Sequence, residues 1–217
     1  MIDLEFKKSQ LNQDLWILDL YKMKKDGYFV EVGACDGTNL SNTYLLEKCF
    51  DWKGICIEPV PSSWQSLVQN RECIALNECV SDTSGHEVSF MVQSCYSGIT
   101  GLTEKKDYPN EDGVVDYKES LTLKTKTLAD IFIENDVPEF IDYVSIDTEG
   151  SELNVLKGVD FDTLPTIGAF TIEHNYETER RNDIKSFLES KNYRRAAEYY
   201  WDDFYVLNNI DDYIEIK

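Results

Sequence analysis

The stretch that decides the fold is Tyr28-Phe29-Val30-Glu31-Val32-Gly33-Ala34-Cys35-Asp36-Gly37. Its first five residues are aromatic or β-branched around one glutamate, which predicts a short strand that ends at Gly33. Small residues after the strand let the backbone approach a ligand closely. The spacing Glu-x-Gly-x-x-x-Gly lacks the glycine pattern of dinucleotide-binding folds, and its acids would repel a pyrophosphate. The loop therefore suits a cation or an ammonium group.

Strands and helices alternate on both sides of this loop. We predict further strands at 54–58, 72–75, 78–81, 87–92, 121–126, 141–147 and 167–173, with two more between 193 and 207. We predict helices at 10–25, 41–49, 61–70, 127–135, 151–157 and 179–191. The alternation indicates an α/β domain with a mostly parallel sheet. Because no helix separates the last two strands, they should form a hairpin that places at least one strand antiparallel to the rest.

The length of 217 residues is typical of one compact domain. We predict an N-terminal helical segment at residues 1–27 and one domain over residues 28–217. Residues 94–120 contain glycines, a proline and many charges without any periodicity. They predict a long surface loop or insertion, which in compact domains is usually functional or mobile.

The composition excludes several classes of function. With 41 acidic and 21 basic residues the net charge is −20, which disfavours binding to nucleic acid or to an anionic membrane. No apolar run approaches the roughly 20 residues that span a bilayer, and the N-terminal residues do not form a secretory signal. The six cysteines show no CxxC spacing, and only two histidines are present, so a zinc site is not expected. Buried free thiols indicate a cytoplasmic location. The oligomeric state stays open.

Acidic residues accompany the predicted strand ends, where ligands bind in open α/β sheets. They are Glu31 and Asp36 at the first strand, Glu58 after the second, Asp82 after the third region and Asp147 after a later strand. Glu58 could accept hydrogen bonds from ribose hydroxyls, and Asp82 could contact an adenine edge. The ligand that fits the set is a positively charged nucleoside without phosphate, namely S-adenosylmethionine. Taken singly, each acid could instead cap a helix or face solvent, and for Asp82 alone that interpretation is favoured.

These motifs resemble the FkbM-type methyltransferase family. The matching stretches are 29–37 with 40–48, 52–59, 80–82, 172–175 and 202–204, and the most diagnostic is 141–158. The resemblance implies the class I methyltransferase fold: a Rossmann-like, seven-stranded, mostly parallel sheet with an antiparallel last strand and helices on both faces. It also implies S-adenosylmethionine as methyl donor, S-adenosylhomocysteine as product and a hydroxyl acceptor, often on a sugar, glycan or small natural product. The N-terminal helix and residues 94–120 lie outside the resemblance.

The predicted site has a donor-binding set and two candidate proton acceptors. The donor-binding residues are Glu31, Gly33, Ala34, Asp36, Gly37, Asn42, Glu58, Pro59, Ser81, Asp82 and Asp147. A hydroxyl acceptor needs a general base, for which Asp147 and His174 are the candidates. His174 is preferred because imidazole titrates near neutral pH, although it could equally be a hydrogen-bonded structural residue.

Several alternatives stay open at the level of the sequence. Glu149 and Glu152 either cap the next helix or, together with Asp147, bind the acceptor or a Mg²⁺-like ion. Capping is favoured for Glu152, Glu149 is undecided, and no metal site is predicted. The aromatic residues of 199–205 either pack within strands or stack on a sugar ring. The rival functions are a nicotinamide-dependent oxidoreductase, an inactive binding module and a nitrogen methyltransferase, whose Asn/Asp-Pro-Pro-Tyr motif is missing here.

Overall fold

A computed structural model of the chain describes residues 4–93, 96–102, 119–163 and 165–214. These ranges contain six α-helices, eleven strands and two short 3₁₀ turns. The helices are α1 (Gln13–Leu20), α2 (Tyr44–Phe50), α3 (Pro61–Asn70), α4 (Leu128–Glu134), α5 (Glu152–Lys157) and α6 (Thr178–Ser190). The strands are β1 (Tyr28–Val32), β2 (Lys53–Ile57), β3 (Ile74–Leu76), β4 (Cys79–Val80), β5 (Glu87–Val92), β6 (Gly98–Ile99), β7 (Glu119–Lys126), β8 (Phe140–Ile146), β9 (Thr166–Glu173), β10 (Tyr193–Tyr199) and β11 (Asp202–Leu207).

The main sheet has seven strands in the order β10-β11-β9-β8-β1-β2-β3. All neighbouring pairs are parallel except those of β11, which is antiparallel to both β9 and β10. The predicted class I methyltransferase sheet, with its antiparallel last strand, is confirmed. From β1 the chain continues to β2 and β3 on one side of β1, and β8 later pairs with the other side of β1. Ligands of such sheets bind in the crevice where the strand order reverses, here between β1 and β8.

A second sheet of four strands, in the order β4-β7-β5-β6, stands beside the first. It contains parts of the predicted loop, because Ile99 pairs with Phe90 and Gly98 with Met91. Strand β6 lies within the loop predicted at 94–120, and β7 begins at Glu119, before the predicted end of the loop. Residues 94, 95 and 103–118 of this loop lie outside the described residues. A small apolar cluster of Val60, Cys79, Phe90 and Ile99 packs under this sheet.

The N-terminal segment packs against the main sheet. Its helix α1 is shorter than the predicted 10–25, and Ile17 and Leu18 are fully buried in the same core cluster as β1 and β8. Burial of each such side chain contributes about 1.5–3 kcal/mol. Gln13 Nε2 donates to Asp202 Oδ2 over 2.8 Å, and the Tyr21 hydroxyl donates to the backbone oxygen of Asp142, also over 2.8 Å. The first contact lies where β9 ends and β11 begins, and the second lies near the start of β8, so the segment is held at both edges of the sheet.

Of the five cysteines within the described ranges, Cys56 and Cys79 are buried, as the sequence predicts, and the other three are half-buried, whereas Cys95 lies outside those ranges. None of the helices that the structure describes is long and apolar enough to cross a membrane. The cytoplasmic location stays a prediction.

Candidate functional site

Two cavities meet at the carboxyl ends of β1 and β8. The first cavity has a volume of about 380 Å³ and extends toward β9 and the N-terminal segment. The second cavity lies between β2 and the second sheet. They share Val32, Gly33, Cys35 and Asp147 in their linings. A single ligand can therefore extend from one cavity into the other across Gly33.

Gly33 lies where the loop after β1 crosses the end of β8. Its φ is +87°, and a Cβ atom there would lie only 1.8 Å from the backbone oxygen of Asp147. The backbone N–H groups of Gly33 and Ala34 both donate to the oxygen of Ile57 over 3.0 Å. No side chain fits at this position, so the backbone itself forms the boundary between the two cavities.

Glu31 binds the segment at 38–43 through several hydrogen bonds. Its side chain is almost fully buried, and Oε2 accepts hydrogen bonds from Ser41 Oγ over 2.9 Å and Thr43 Oγ1 over 2.6 Å. Its Oε1 accepts the backbone N–H of Asn42 over 2.6 Å. The buried guanidinium of Arg71 lies 3.4 Å from Oε2 and balances the charge. Glu31 also lines the first cavity, and its contact with the donor stays a prediction.

Asp36 and Gly37 also shape the loop. Asp36 Oδ1 accepts the backbone N–H groups of Thr38 and Asn39 over 2.9 and 2.7 Å, which closes a turn. Gly37 has a φ of +77°, and the side chain of Leu67 occupies the space of a Cβ. Asp36 lines neither of the two cavities.

Glu58 and Pro59 line the second cavity, as predicted for ribose recognition. Glu58 Oε2 accepts the N–H of Cys35 over 3.0 Å, and Oε1 accepts that of Val60 over 2.8 Å. Recognition of a ribose by Glu58 stays a prediction. The apolar walls of this cavity come from Val80 and from Phe90 and Ile99 of the second sheet.

Ser81 and Asp82 lie beyond the end of the second cavity. The lining residues from this part of the chain are Glu78, Cys79 and Val80 instead. Asp82 is exposed and accepts a hydrogen bond from Asn154 Nδ2 over 3.2 Å. Asp82 therefore faces solvent in the structure, and its contact with an adenine edge stays a prediction.

Three carboxylates, the three-acid cluster, converge in the first cavity: Asp147, Glu149 and Glu173. One oxygen of each lies within 4.8 Å of the other two. Ile146 pairs with Ile172 in the β8–β9 register, so Asp147 and Glu173 leave adjacent strands side by side. Burial, and then the carboxylates of Glu149, Asp202 and Glu152, raise the pKa of Asp147 well above its usual range.

Glu152 closes the turn below this cluster. Its Oε1 accepts the N–H groups of Thr148 and Gly150 over 3.0 and 2.8 Å, and the side chain is fully buried. Oε2 lies 3.9 Å from Arg180 Nη1. These contacts agree with the local structural role that the sequence favours for Glu152.

His174 lies behind the cavity wall. The side chains of Glu173 and Asn175 line the first cavity, while the ring of His174 between them is 2% exposed. Its Nδ1 accepts the N–H of Tyr176 over 3.0 Å, and Nε2 lies 3.8 Å from Asp203 Oδ1. Burial lowers the pKa of the imidazole. The base role of His174 stays a prediction, and it requires a movement of the side chain.

Aromatic side chains form the rim of the first cavity. Tyr176 and Trp201 line it with ring centroids 6.4 Å apart, and Tyr200 lies 5.7 Å from Trp201. Tyr176 is 64% exposed and Tyr200 is 60% exposed. Farther along β11, by contrast, Phe204 and Tyr205 are buried in the protein interior. The predicted aromatic region is therefore divided between the cavity rim and the core.

Comparison with known proteins identifies the family. The family described as "Methyltransferase FkbM domain" matches residues 31–195, which is most of the chain. The chain belongs to the FkbM methyltransferase family. The methyltransferase sdnD of Sordaria araneosa is 26% identical to it over 223 residues, covering 87% of this chain and 83% of that protein.

Two solved structures share the fold of this FkbM-family protein. The methyltransferase FkbM of Methylobacillus flagellatus KT superposes with a TM-score of 0.50 at 17% identity, over 83% of this chain and 43% of that one. The METTL16 methyltransferase domain also superposes with a TM-score of 0.50, at 12% identity, over 95% of this chain and 71% of that one. As a family member, the chain is an S-adenosylmethionine-dependent methyltransferase.

The two cavities fit the methyl donor of this FkbM-family enzyme. The second cavity offers Glu58 to a ribose and apolar walls to a base, and it meets the first cavity at Gly33 and Asp147. The methyl group would then enter the first cavity next to the three-acid cluster. The assignment of each residue to a part of the donor stays a prediction.

Sequence reasoning missed three features of the enzyme's first cavity. They are the carboxylate of Glu173, the amide of Asn175 and the aromatic ring of Tyr176. Glu173 ends a predicted strand next to the one that ends at Asp147, so the strand-end rule could have found it. Asn175 and Tyr176 both have positive φ values in the following turn, which a sequence pattern does not reveal.

Proposed function

We propose that this enzyme transfers the methyl group of S-adenosylmethionine to a hydroxyl oxygen of a neutral, polyhydroxylated molecule, such as a sugar, a glycan or a natural product. The observation that supports this is the lining of the first cavity, with acids on its floor and exposed aromatic rings at its rim. Among the described residues that line it, none is lysine, arginine or histidine. A phosphorylated or carboxylated acceptor would meet only negative charge there.

The reaction follows from the position of the three-acid cluster. The acceptor oxygen attacks the methyl carbon, the carbon–sulfur bond breaks, and S-adenosylhomocysteine leaves. The hydroxyl proton passes to a carboxylate oxygen, for which Asp147 is the candidate because it alone of the three acids lines both cavities. Positioning of donor and acceptor supplies much of the rate, and proton transfer typically contributes about 10²–10⁴-fold.

The aromatic rim supports a ring-shaped acceptor. Tyr176 and Trp201 meet nearly edge to face, with an interplanar angle of 71°. Their exposed faces can cover one side of a sugar or polyketide ring, while its hydroxyls hydrogen-bond to the carboxylates below.

The first test is calorimetric titration with S-adenosylmethionine, S-adenosylhomocysteine and NAD in parallel. We expect both adenosyl ligands to bind and NAD to give no heat. Binding of NAD alone would support the oxidoreductase instead, and absence of all binding would support an inactive module.

The second test is an acceptor screen with neutral glycosides, their phosphates and amino sugars. Production of S-adenosylhomocysteine and the mass of the product report transfer. We expect neutral glycosides to be methylated, and Asp147→Asn to lower kcat by about 100-fold or more. The exposed Glu179 provides a matched control, since Glu179→Gln should leave kcat unchanged. Preferred methylation of phosphates, or of the amine in amino sugars, would contradict the proposal.

A further inference from the structure

The geometry of the three-acid cluster fits a bound metal ion. One oxygen each of Asp147, Glu149 and Glu173 lies within 4.8 Å of the other two. Oxygen ligands bind Mg²⁺ at about 2.0–2.1 Å and Ca²⁺ at about 2.3–2.6 Å, so two ligands of one ion are at most about 4–5 Å apart. The three oxygens are therefore spaced closely enough for one Ca²⁺, and they fit one Mg²⁺ once the side chains move together by about 0.5 Å.

The surrounding chain holds the three acids in place. Asp147 and Glu173 follow directly on paired strands, and Glu149 has a left-handed backbone with a φ of 54°. Asn175 Nδ2 donates to the carboxylates of both Glu149 and Glu173. Glu152 fixes the turn that contains Glu149 from beneath. An ion site needs such support, because its ligands must stay close together despite their mutual repulsion.

The residues that line the cavity give it an acidic character. Their described members include four acids, Glu31, Asp147, Glu149 and Glu173, and no basic side chain. Arg71 approaches Glu31 from the opposite side, and Arg180 lies 2.9 Å from Glu177. Carboxylates held this close together repel one another, and a bound cation would relieve that repulsion.

Asn42 provides a second, independent observation. Its side chain is 6% exposed and lines the same cavity, and Nδ2 donates to Ser145 Oγ over 2.9 Å. Its Oδ1 has no hydrogen-bond partner among the described residues. Asn42 and Ser145 line the same cavity as the three acids. An amide oxygen can only accept, and it is an ordinary ligand of hard cations or of their water molecules.

We propose that Asp147, Glu149 and Glu173 bind one divalent hard cation, Mg²⁺ or Mn²⁺, with Asn42 Oδ1 facing the ion or a water molecule on it. All-oxygen sites select such ions over zinc or copper. The binding of the ion does not depend on the proposed function. Its role does: a cation there would hold the acceptor hydroxyl near the methyl group and lower the pKa of that hydroxyl.

The experiment is a titration of the full chain, freed of metal with EDTA and dialysed, with MnCl₂. Calorimetry and the electron paramagnetic resonance signal of free Mn²⁺ report binding, and MgCl₂ serves as competitor. We expect one Mn²⁺ per chain, displaced by Mg²⁺. Glu149→Gln and Glu173→Gln should weaken binding by about 10-fold or more, whereas Glu179→Gln should not change it. Circular dichroism of each variant in EDTA verifies that it is folded.

Other outcomes separate this inference from the proposed function. Absence of Mn²⁺ binding, or equal binding by Glu173→Gln and the parent chain, overturns the ion site even if methyl transfer proceeds in EDTA. Displacement of Mn²⁺ by S-adenosylhomocysteine also overturns it, because the carboxylates would then bind the ammonium of the donor. Mn²⁺ binding without methylation of any hydroxyl supports the site while contradicting the proposed acceptor.

Discussion

The acids at the carboxyl edge of the sheet form two groups that differ in their partners. The anchoring acids, Glu31 and Glu58, accept hydrogen bonds from the chain's own hydroxyl and N–H groups. The acids of the three-acid cluster converge on one another and on the first cavity. The same residue type at the same sheet edge thus organises a loop in one place and presents charge to a ligand in the other. Which of the two occurs depends on the donors that the fold brings near.

The largest effect is expected on the free energy of unfolding, which should differ between variants of the two groups. Glu31→Gln leaves the buried Arg71 without this carboxylate and weakens the bonds to Ser41 and Thr43. Breaking a buried ion pair typically costs about 3–5 kcal/mol, and we expect a loss at the lower end because Arg71 also pairs with Glu47. Urea unfolding measures the loss. In the same assay Asp147→Asn should not destabilise the protein, and an equal loss in both variants would abolish the distinction.

A second prediction concerns Asp202, which lies next to the three-acid cluster. Burial raises the pKa of Asp202 to about 6 from its ordinary value of 3.8. An acid with a raised pKa costs stability as pH rises above its unfolded pKa, and the cost is complete once pH exceeds its folded pKa, here at about 3 kcal/mol. Asp202→Asn should therefore stabilise the protein by up to this amount near pH 8, and by roughly half near pH 5. Urea unfolding in EDTA at both pH values tests this, and a gain independent of pH would show another cause.

The aromatic rim should give a smaller effect on acceptor binding. Tyr176→Ala removes an exposed ring that lines the first cavity, so we expect the acceptor KM to rise about fivefold to tenfold with little change in kcat. Tyr199 is 47% exposed and does not line the cavity, which makes Tyr199→Ala the matched control. Steady-state kinetics measure both. Equal KM values for the two variants would place the acceptor elsewhere.

The smallest effect is expected for His174→Gln. The ring is buried behind Glu173 and Asn175, so we expect kcat to fall less than about threefold, with unchanged binding of S-adenosylmethionine. A fall of about 100-fold, together with loss of one limb of the kcat–pH profile, would instead confirm the sequence-based role of His174 as the base.

Much of the fold followed from local patterns, since strand and helix signals repeat along the chain. The strands predicted at 141–147 and 167–173 occur at Phe140–Ile146 and Thr166–Glu173. The second sheet was not predicted as a unit, because Gly98 and Ile99 form a strand only by pairing with Met91 and Phe90. Two residues have no periodicity of their own, so only the tertiary fold defines them as a strand.

The sequence by itself determined the sheet, the glycine loop and the family, because these depend on residue types at short, regular spacings. It also brought Glu31, Glu58 and Asp147 to one edge, since parallel strands end together. Only the tertiary structure decided what each acid does. Glu31 meets Arg71 from a distant helix end, whereas Asp147 meets Glu149 and Glu173. The role of a carboxylate depends on the charges and donors within a few ångströms, and those neighbours are distant in the chain.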